Sequence, residues 1–151
     1  MPTFNKALQL GQRVEQIVLD RVRESDPFAL LIPGKFPQFD LYSPLSNTRI
    51  EVKSDIQSQE TNNFLIEVYM YGKPSALLAT GADIWVFYDG NNLIWVSPDN
   101  IKDLIIERGY AQRLITGNGD KEAKRCYLIP TRDIYQIAKK VESVSEEEKS
   151  S

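Results

Sequence analysis

Residues 39–53 contain the pattern that most constrains the fold, two short runs in which apolar and polar residues alternate. Successive side chains of a β-strand point to opposite faces, so this alternation predicts strands at Phe39–Tyr42 and Thr48–Lys53. The segment between them, Ser43–Asn47, is rich in turn formers and predicts that the two strands form a hairpin. The rest of the domain must therefore be arranged around this hairpin.

The charged residues of this hairpin predict a metal site. On the second strand Glu51 and Lys53 share one face, while Ile50 and Val52 point to the other. Asp40 on the first strand can reach the face that carries Glu51. Two converging carboxylates repel each other and raise each other's pKa unless a cation lies between them. A hard divalent ion satisfies both carboxylates, and Mg²⁺ is the obvious candidate.

The absence of histidine and the single cysteine narrow the chemistry open to this chain. Without histidine there is no Ser-His or Cys-His nucleophile pair, no histidine-ligated zinc and no imidazole general base. Cys126 alone excludes an internal disulfide and a multi-cysteine zinc site. Catalysis by this chain would therefore use carboxylates, lysine, tyrosine or a metal ion held by oxygen ligands.

The net charge of −3 arises at the end of the chain, where residues 141–151 carry four glutamates and one lysine. Residues 1–140 are neutral, so their charge neither supports nor excludes a nucleic-acid ligand. We expect one domain over residues 1–140 and a disordered acidic tail over residues 141–151. No apolar run approaches the roughly 20 residues of a membrane helix, and the start of the chain lacks the apolar core of a signal peptide. These features predict an intracellular, cytoplasmic protein with no membrane partner.

Two glutamates lie in otherwise apolar surroundings. Glu15 lies beside the apolar stripe of an amphipathic helix predicted from Phe4 to about Arg23, and it is either solvated on the helix flank or points into a cleft. Glu67 lies within a strand predicted over Phe64–Tyr71, where burying a carboxylate without a partner is costly. Either this strand is at a sheet edge with Glu67 in water, or Glu67 faces the metal site.

Caps, turns and apolar runs predict the remaining elements. These are a strand near 28–32, a helix opened by Lys73 and Ser75 over 76–80, a hairpin over 83–96, a helix over 98–109, a strand over 127–129 and a final helix from Pro130 to Val141. Residues 110–125 have no clear pattern, and their basic residues belong either to a solvated loop or to an arm that touches phosphates. They include Arg113, Lys121, Lys124 and Arg125.

The order of these residues and elements resembles the PD-(D/E)XK nuclease superfamily. The matching features are Glu15 on a helix, then Asp40, then Glu51-Val52-Lys53, followed by a strand, a helix and another strand. Residues 64–87 look like the segment that follows the catalytic strand in phage-type, Holliday-junction-resolvase-like members, where a Gly-Lys-Pro-Ser-like helix start precedes an Ala-Asp-aromatic strand. The resemblance covers about residues 10–90.

The resemblance implies an α/β fold with a restriction-endonuclease-like core, in which helices flank a mixed central β-sheet. It implies an endonuclease that hydrolyses phosphodiester bonds of DNA with Mg²⁺ or Mn²⁺ as cofactor. The chain lacks an evident separate recognition domain, so we expect a structure-specific or DNA-processing enzyme acting on branched or single-stranded DNA. A homodimer would supply the two sites needed to cut both strands. A phage-encoded enzyme would work in the host cell cytoplasm.

The same resemblance implies a role for each matching residue. Asp40 and Glu51 would be the principal metal ligands, together with the backbone carbonyl of Val52. Lys53 would orient or activate the attacking water and stabilise negative charge in the transition state. Glu15 would contact the metal or its waters. Auxiliary roles would fall to Glu67, Lys73 and Ser75.

A second interpretation is a non-catalytic module that retains the nuclease fold and binds or assembles with a protein. The neutral body favours it, as does Phe39, which stands where the family motif has proline. The presence of Asp40, Glu51 and Lys53 together argues against it, because a module without catalytic demands has no need to keep them convergent. A third interpretation is an α/β domain in which these charges are surface decoration.

Overall fold

The structure is a computed structural model and describes residues 4–34, 39–116 and 123–150. The helices are α1 (Phe4–Arg23), α2 (Ser58–Thr61), α3 (Pro98–Arg108), α4 (Thr131–Ile137) and α5 (Glu146–Ser150). The first strands are β1 (Leu30–Leu31), β2 (Leu41–Ser43), β3 (Thr48–Ser54), β4 (Asn63–Met70) and β5 (Lys73–Pro74). The later strands are β6 (Ile84–Tyr88), β7 (Asn92–Val96), β8 (Gln112–Ile115), β9 (Lys124–Pro130) and β10 (Lys140–Ser143).

A mixed sheet carries the predicted hairpin. Its six strands follow the order β1-β2-β3-β6-β7-β10, and β3 and β6 are parallel while the other neighbours are antiparallel. Pairing of Leu41 with Ile50 confirms the predicted hairpin. The parallel pair places Glu51 beside Trp85. The protein is therefore a mixed α/β fold in which helices flank a mixed sheet, as expected from the sequence.

Strand alternation divides the interior into two cores. On one face of the mixed sheet, Ile50 and Val86 pack with Val14 and Val18 of α1. This contact explains why α1 is amphipathic, since only one side of the helix is buried. Of the described helices, none combines the length and the apolar character needed to cross a membrane.

The opposite face of the mixed sheet covers a second sheet, which the sequence analysis did not separate from the first. This sheet is antiparallel and has the order β5-β4-β9-β8. The second core lies between the sheets, where the rings of Phe64 and Phe87 stack with centroids 4.8 Å apart. β8 lies in the region without a clear sequence pattern, because three of its four residues are exposed and carry no apolar alternation.

The helix predicted over residues 76–80 is wrong in extent. Only a 3-10 turn forms, Ala76–Leu78, and Ser75 alone separates it from the short strand β5. Ala76 has a positive φ of 41°, which breaks the regular helical sequence of dihedral angles. Ser75 occupies the N-cap position, but its side chain makes no capping hydrogen bond.

The predictions for the end of the chain are also wrong. The last predicted helix stops at Ile137 instead of Val141, and the segment expected to be a disordered tail forms β10 and α5. β10 pairs with β7, and Val144 is buried in the first core. Glu148 forms a salt bridge of 2.8 Å with Arg21 of α1. A basic partner on another element thus offsets the mutual repulsion of the glutamates, so the folded domain continues through residue 150.

Candidate functional site

Asp40 lies one residue before β2, where the hairpin pairing ends. Its backbone N–H donates to the Ile50 carbonyl at 2.8 Å, so Asp40 still extends the pairing with β3. Its side chain then accepts a hydrogen bond from the Val52 N–H at 2.7 Å. The carboxylate therefore accepts the hydrogen bond that the backbone of a preceding residue would accept if the pairing with β3 continued.

The geometry of β3 brings the Val52 carbonyl to the same place. In an antiparallel pair the N–H and the C=O of one residue point to the same neighbouring strand. Because the Val52 N–H points to the Asp40 carboxylate, the Val52 C=O faces the same edge of β3. One backbone oxygen and one carboxylate are thus presented side by side.

Glu51 is held at both of its carboxylate oxygens. Lys53 Nζ lies 2.8 Å from Oε2, and the Thr80 hydroxyl donates to Oε1 at 3.2 Å. The side chain of Glu51 is only 9% exposed, whereas that of Lys53 is 37% exposed. The buried carboxylate is therefore fixed in orientation, and the lysine reaches it from the solvent side.

Two residues of this site were missed by the sequence analysis, Thr80 and Trp85. Lys53 Nζ lies 5.1 Å from the centroid of the Trp85 ring, a cation–π contact that adds to its ion pair with Glu51. Trp85 could have been assigned to the site from the sequence by predicting that β3 pairs with β6, because this pairing places it beside Glu51. Thr80 lies in a segment between elements and carries no periodic signal.

The pKa values of the three acidic groups of this site are raised, mainly by burial. Desolvation raises the pKa of Asp40, although the Val52 N–H and the charge of Lys53 act in the opposite direction. Desolvation also raises the pKa of Glu51, with Lys53 lowering it and the charge of Asp40 raising it. The pKa of Glu15 is raised by desolvation and then by repulsion from Asp40. Burial therefore destabilises the ionised forms of all three groups, and repulsion from Asp40 adds to this effect for Glu15 and Glu51.

Glu15 faces the site and is not a fully solvated residue on the helix flank. Its side chain is half-buried, and its electrostatic coupling to Asp40 shows that α1 presents it towards the end of β3. In the described ranges, no group of three or more acidic or cysteine side chains lies close enough to hold a metal ion together. Asp40 and Glu51 are thus the central carboxylates, with Glu15 as their electrostatic neighbour.

The donor set at this point fits a hard divalent cation. Asp40, Glu51 and the Val52 carbonyl offer oxygen atoms only, which Mg²⁺ and Mn²⁺ prefer. The raised pKa values of the two carboxyl groups indicate that their negative charges lack full compensation in the protein alone. A cation placed between them would remove this conflict.

Two cavities flank Lys53, and neither Asp40 nor Glu51 is among the residues that line them. One cavity, of about 430 Å³, lies towards the second sheet, and the other, of about 410 Å³, lies towards α1. Lys53, Ser54, Leu65 and Phe87 line both cavities. We call the pair the Lys53 groove, which runs from Lys6 on one side to Lys124 on the other.

The predicted auxiliary residues take different positions. Glu67 forms an ion pair of 3.4 Å with Lys124, and both line the Lys53 groove. The Glu67 side chain is 25% exposed and paired with a lysine of the neighbouring strand β9, so it is not a freely solvated glutamate. Lys73 is exposed on β5. The Ser75 hydroxyl is buried and has no hydrogen-bond partner among the described residues.

The basic residues of the C-terminal third do not form one cluster. Arg113 lies opposite Cys126 on β9, so it shares a face with Lys124, two residues along the strand. Arg125 points to the other face of β9 and is exposed. Lys121 lies outside the described residues.

The homodimer implied by the resemblance would need an exposed apolar interface, for which the sequence offers Trp85, Trp95 and the run Leu30-Leu31-Ile32. Trp85 and Trp95 are 1% and 8% exposed, so neither can supply an interface. Leu30 and Leu31 of the edge strand β1 are partly exposed.

Comparison of the chain with protein-family models, curated proteins and solved structures finds no match.

Proposed function

We propose that the protein is a Mg²⁺- or Mn²⁺-dependent DNA endonuclease of the PD-(D/E)XK type. The observation that carries this proposal is the convergence of Asp40, Glu51, Lys53 and the Val52 carbonyl at one edge of β3. A buried Glu51 beside a half-buried Asp40, with an adjacent lysine, is costly for stability, and a site of this kind is a functional candidate.

The order of the elements supports the same proposal. A helix that presents an acid is followed by a hairpin with the Asp and Glu-x-Lys residues, and the catalytic strand β3 then pairs in parallel with β6. This arrangement is compatible with a restriction-endonuclease-like core. The second sheet and the β10-α5 segment would be additions to it.

Each residue has a defined role in the proposed reaction. Hydrolysis adds water across one P–O bond of the backbone and leaves a phosphomonoester and a hydroxyl group. Asp40, Glu51 and the Val52 carbonyl would hold the cation, which when bound lowers the pKa of a coordinated water and neutralises phosphate charge. Lys53 would orient the attacking water and stabilise charge on the phosphate oxygens. Glu15 would accept hydrogen bonds from water at the site.

The substrate would lie in the Lys53 groove. Few basic side chains line it, so phosphate contacts alone would give weak binding, and recognition would depend on the shape of the nucleic acid. This limited charge favours structure-specific cleavage of branched or single-stranded DNA over reading of a duplex sequence.

Calorimetry with Mn²⁺ and a cleavage assay on plasmid, branched and single-stranded DNA test the proposal together. We expect the wild type to bind Mn²⁺ and to cut at least one of these substrates, and the variant Asp40→Asn/Glu51→Gln to do neither. Asp103→Asn/Glu107→Gln is a matched control, because it removes the same charge from exposed positions of α3. Lys53→Met should bind Mn²⁺ but should cut DNA at least about 100-fold more slowly than the wild type.

Two outcomes would contradict the proposal. Cleavage that survives Asp40→Asn/Glu51→Gln would assign the activity to another site or to a contaminant. A wild type that binds no divalent cation and cuts no DNA would leave the non-catalytic interaction module as the better interpretation.

A further inference from the structure

Thr80 contacts the site through a hydroxyl group that is anchored from two directions. The Trp85 Nε1–H and the Ala82 backbone N–H both donate to Thr80 Oγ1 at 3.1 Å. The same hydroxyl donates to Glu51 Oε1 at 3.2 Å. Trp85 lies in β6 and is almost fully buried, and Ala82 is buried two residues before the start of β6, so both anchors belong to packed parts of the fold.

The two partners of Glu51 differ in stiffness. Lys53 reaches Oε2 with a long and partly exposed side chain, which loses much conformational freedom when it is fixed. Thr80 has a short β-branched side chain with few rotamers, and its oxygen is already fixed by two donors. Thr80 is therefore the rigid support of the carboxylate and Lys53 the mobile one.

This difference matters for the proposed reaction. In the structure Lys53 is paired with Glu51, whereas its proposed role requires its ammonium group to face the attacking water and the phosphate. When Lys53 turns, one oxygen of Glu51 loses its partner. The hydrogen bond from Thr80 to the other oxygen then remains.

We propose that Thr80 is a positioning residue that keeps the Glu51 carboxylate oriented for the metal ion while Lys53 turns to the substrate. This inference rests on the proposed function and assigns a role to a residue outside the Asp, Glu and Lys set. Partners of this kind, which hold a ligand in orientation, typically contribute about 10- to 100-fold to metal affinity.

Mn²⁺ affinity of the substrate-free protein, measured by calorimetry well below the melting temperature, tests this role. We expect Thr80→Val to weaken Mn²⁺ binding about 10-fold or more, because it keeps the shape of the side chain and removes the hydroxyl. Thr80→Ser keeps the hydroxyl and should stay within about 3-fold of the wild type. In a Lys53→Met background, where Thr80 alone supports Glu51, Thr80→Val should weaken binding more than in the wild type.

Thr80→Val also deprives two N–H donors of their acceptor, so this variant can be unstable. Thr80→Ala then replaces it, because the smaller side chain leaves space for a water that can accept from Trp85 and Ala82. A purely structural role would lower the melting temperature and leave the Mn²⁺ affinity of the folded protein unchanged.

The outcomes separate the two proposals. If the wild type binds Mn²⁺ and the variants without the hydroxyl bind it equally well, the positioning role is overturned and the proposed function stands. If the wild type binds no Mn²⁺, the proposed function fails and the role of Thr80 fails with it. Weak binding by Thr80→Val or Thr80→Ala with normal binding by Thr80→Ser supports both.

Discussion

Asp40 repels two other acids, Glu15 on α1 and Glu51 on β3, and this arrangement has a cost in stability. Each has a raised pKa, and burial is the largest cause in every case. Glu51 is compensated in part by Lys53, and Asp40 in part by the Val52 N–H. The causes that shift Glu15, burial and the charge of Asp40, both act against its ionised form. The effect of Glu15 on the free energy of unfolding is therefore the clearest test of whether these buried charges destabilise the fold.

Glu15→Gln should raise the free energy of unfolding at pH 7. The folded protein binds the Glu15 proton more tightly than the unfolded chain. The stabilisation from protonation is therefore complete below the unfolded pKa of about 4.5 and is lost as the pH rises through the higher folded pKa. Removal of the charge should thus stabilise by up to about 1 kcal/mol at pH 7, after allowance for solvent screening, and less at pH 4.

Urea denaturation of the wild type and of Glu15→Gln at pH 4 and pH 7 measures this difference. Glu24→Gln is a suitable control, because Glu24 is exposed just after the end of the same helix. Equal stability of wild type and Glu15→Gln at both pH values would mean that α1 does not present Glu15 to Asp40.

At the scale of elements, β10 and α5 close the mixed sheet and attach the end of the chain to α1. β10 covers the edge of β7, and Arg21 binds both Glu148 and Glu142. Arg13 of α1 also donates to the Lys149 carbonyl at 2.5 Å. The helix that presents Glu15 is thus supported from the side opposite to the hairpin by the last residues of the domain.

Val144→Ala should lower the free energy of unfolding by about 1–3 kcal/mol, because it removes two buried methyl groups from the first core. Val141→Ala removes the same groups from a side chain that is 44% exposed, and it should cost clearly less. Chemical denaturation of both variants measures the contrast. If neither substitution changes the free energy of unfolding, the end of the chain is not packed on the domain.

At the scale of the whole molecule, the net charge of −3 and a groove with few lysines would limit the strength of the proposed nucleic-acid binding. Lys6, Lys53 and Lys124 are spaced along the Lys53 groove. Lys53 pairs with Glu51, and Lys124 pairs with Glu67, so acidic groups lie close to both lysines. Non-specific attraction to phosphates should therefore be weak.

Single-stranded DNA binding by Asp40→Asn/Glu51→Gln should depend only modestly on salt. Three phosphate contacts by lysine predict a slope of about −2 in a plot of log K against log salt concentration, since each contact on a single strand adds about −0.7. Lys124→Gln should make this slope shallower by about 0.7 units. Fluorescence anisotropy between about 50 and 200 mM salt measures it.

Lys102→Gln is the control for this measurement, because Lys102 lies on α3, outside the Lys53 groove. A slope several times steeper than expected, or one that responds equally to Lys102→Gln, would place the nucleic acid on another surface.

The sequence determined the local elements whose signals are themselves local. Alternation over residues 39–53 predicts the hairpin, and helical periodicity predicts α1. Gly109, with a φ of 65°, ends α3 as a left-handed cap. The juxtaposition of Asp40, Glu51 and Lys53 followed from the hairpin alone, because strand pairing and face alternation fix which side chains can meet.

Tertiary structure decided what depends on residues distant in the chain. The split into two sheets, the folding of the acidic end and the short turn at 76–78 follow from packing that no local pattern encodes. Thr80 and Trp85 reach the site only because β6 pairs in parallel with β3. The raised pKa values likewise come from burial, which is a property of the folded molecule and not of the sequence near each acid.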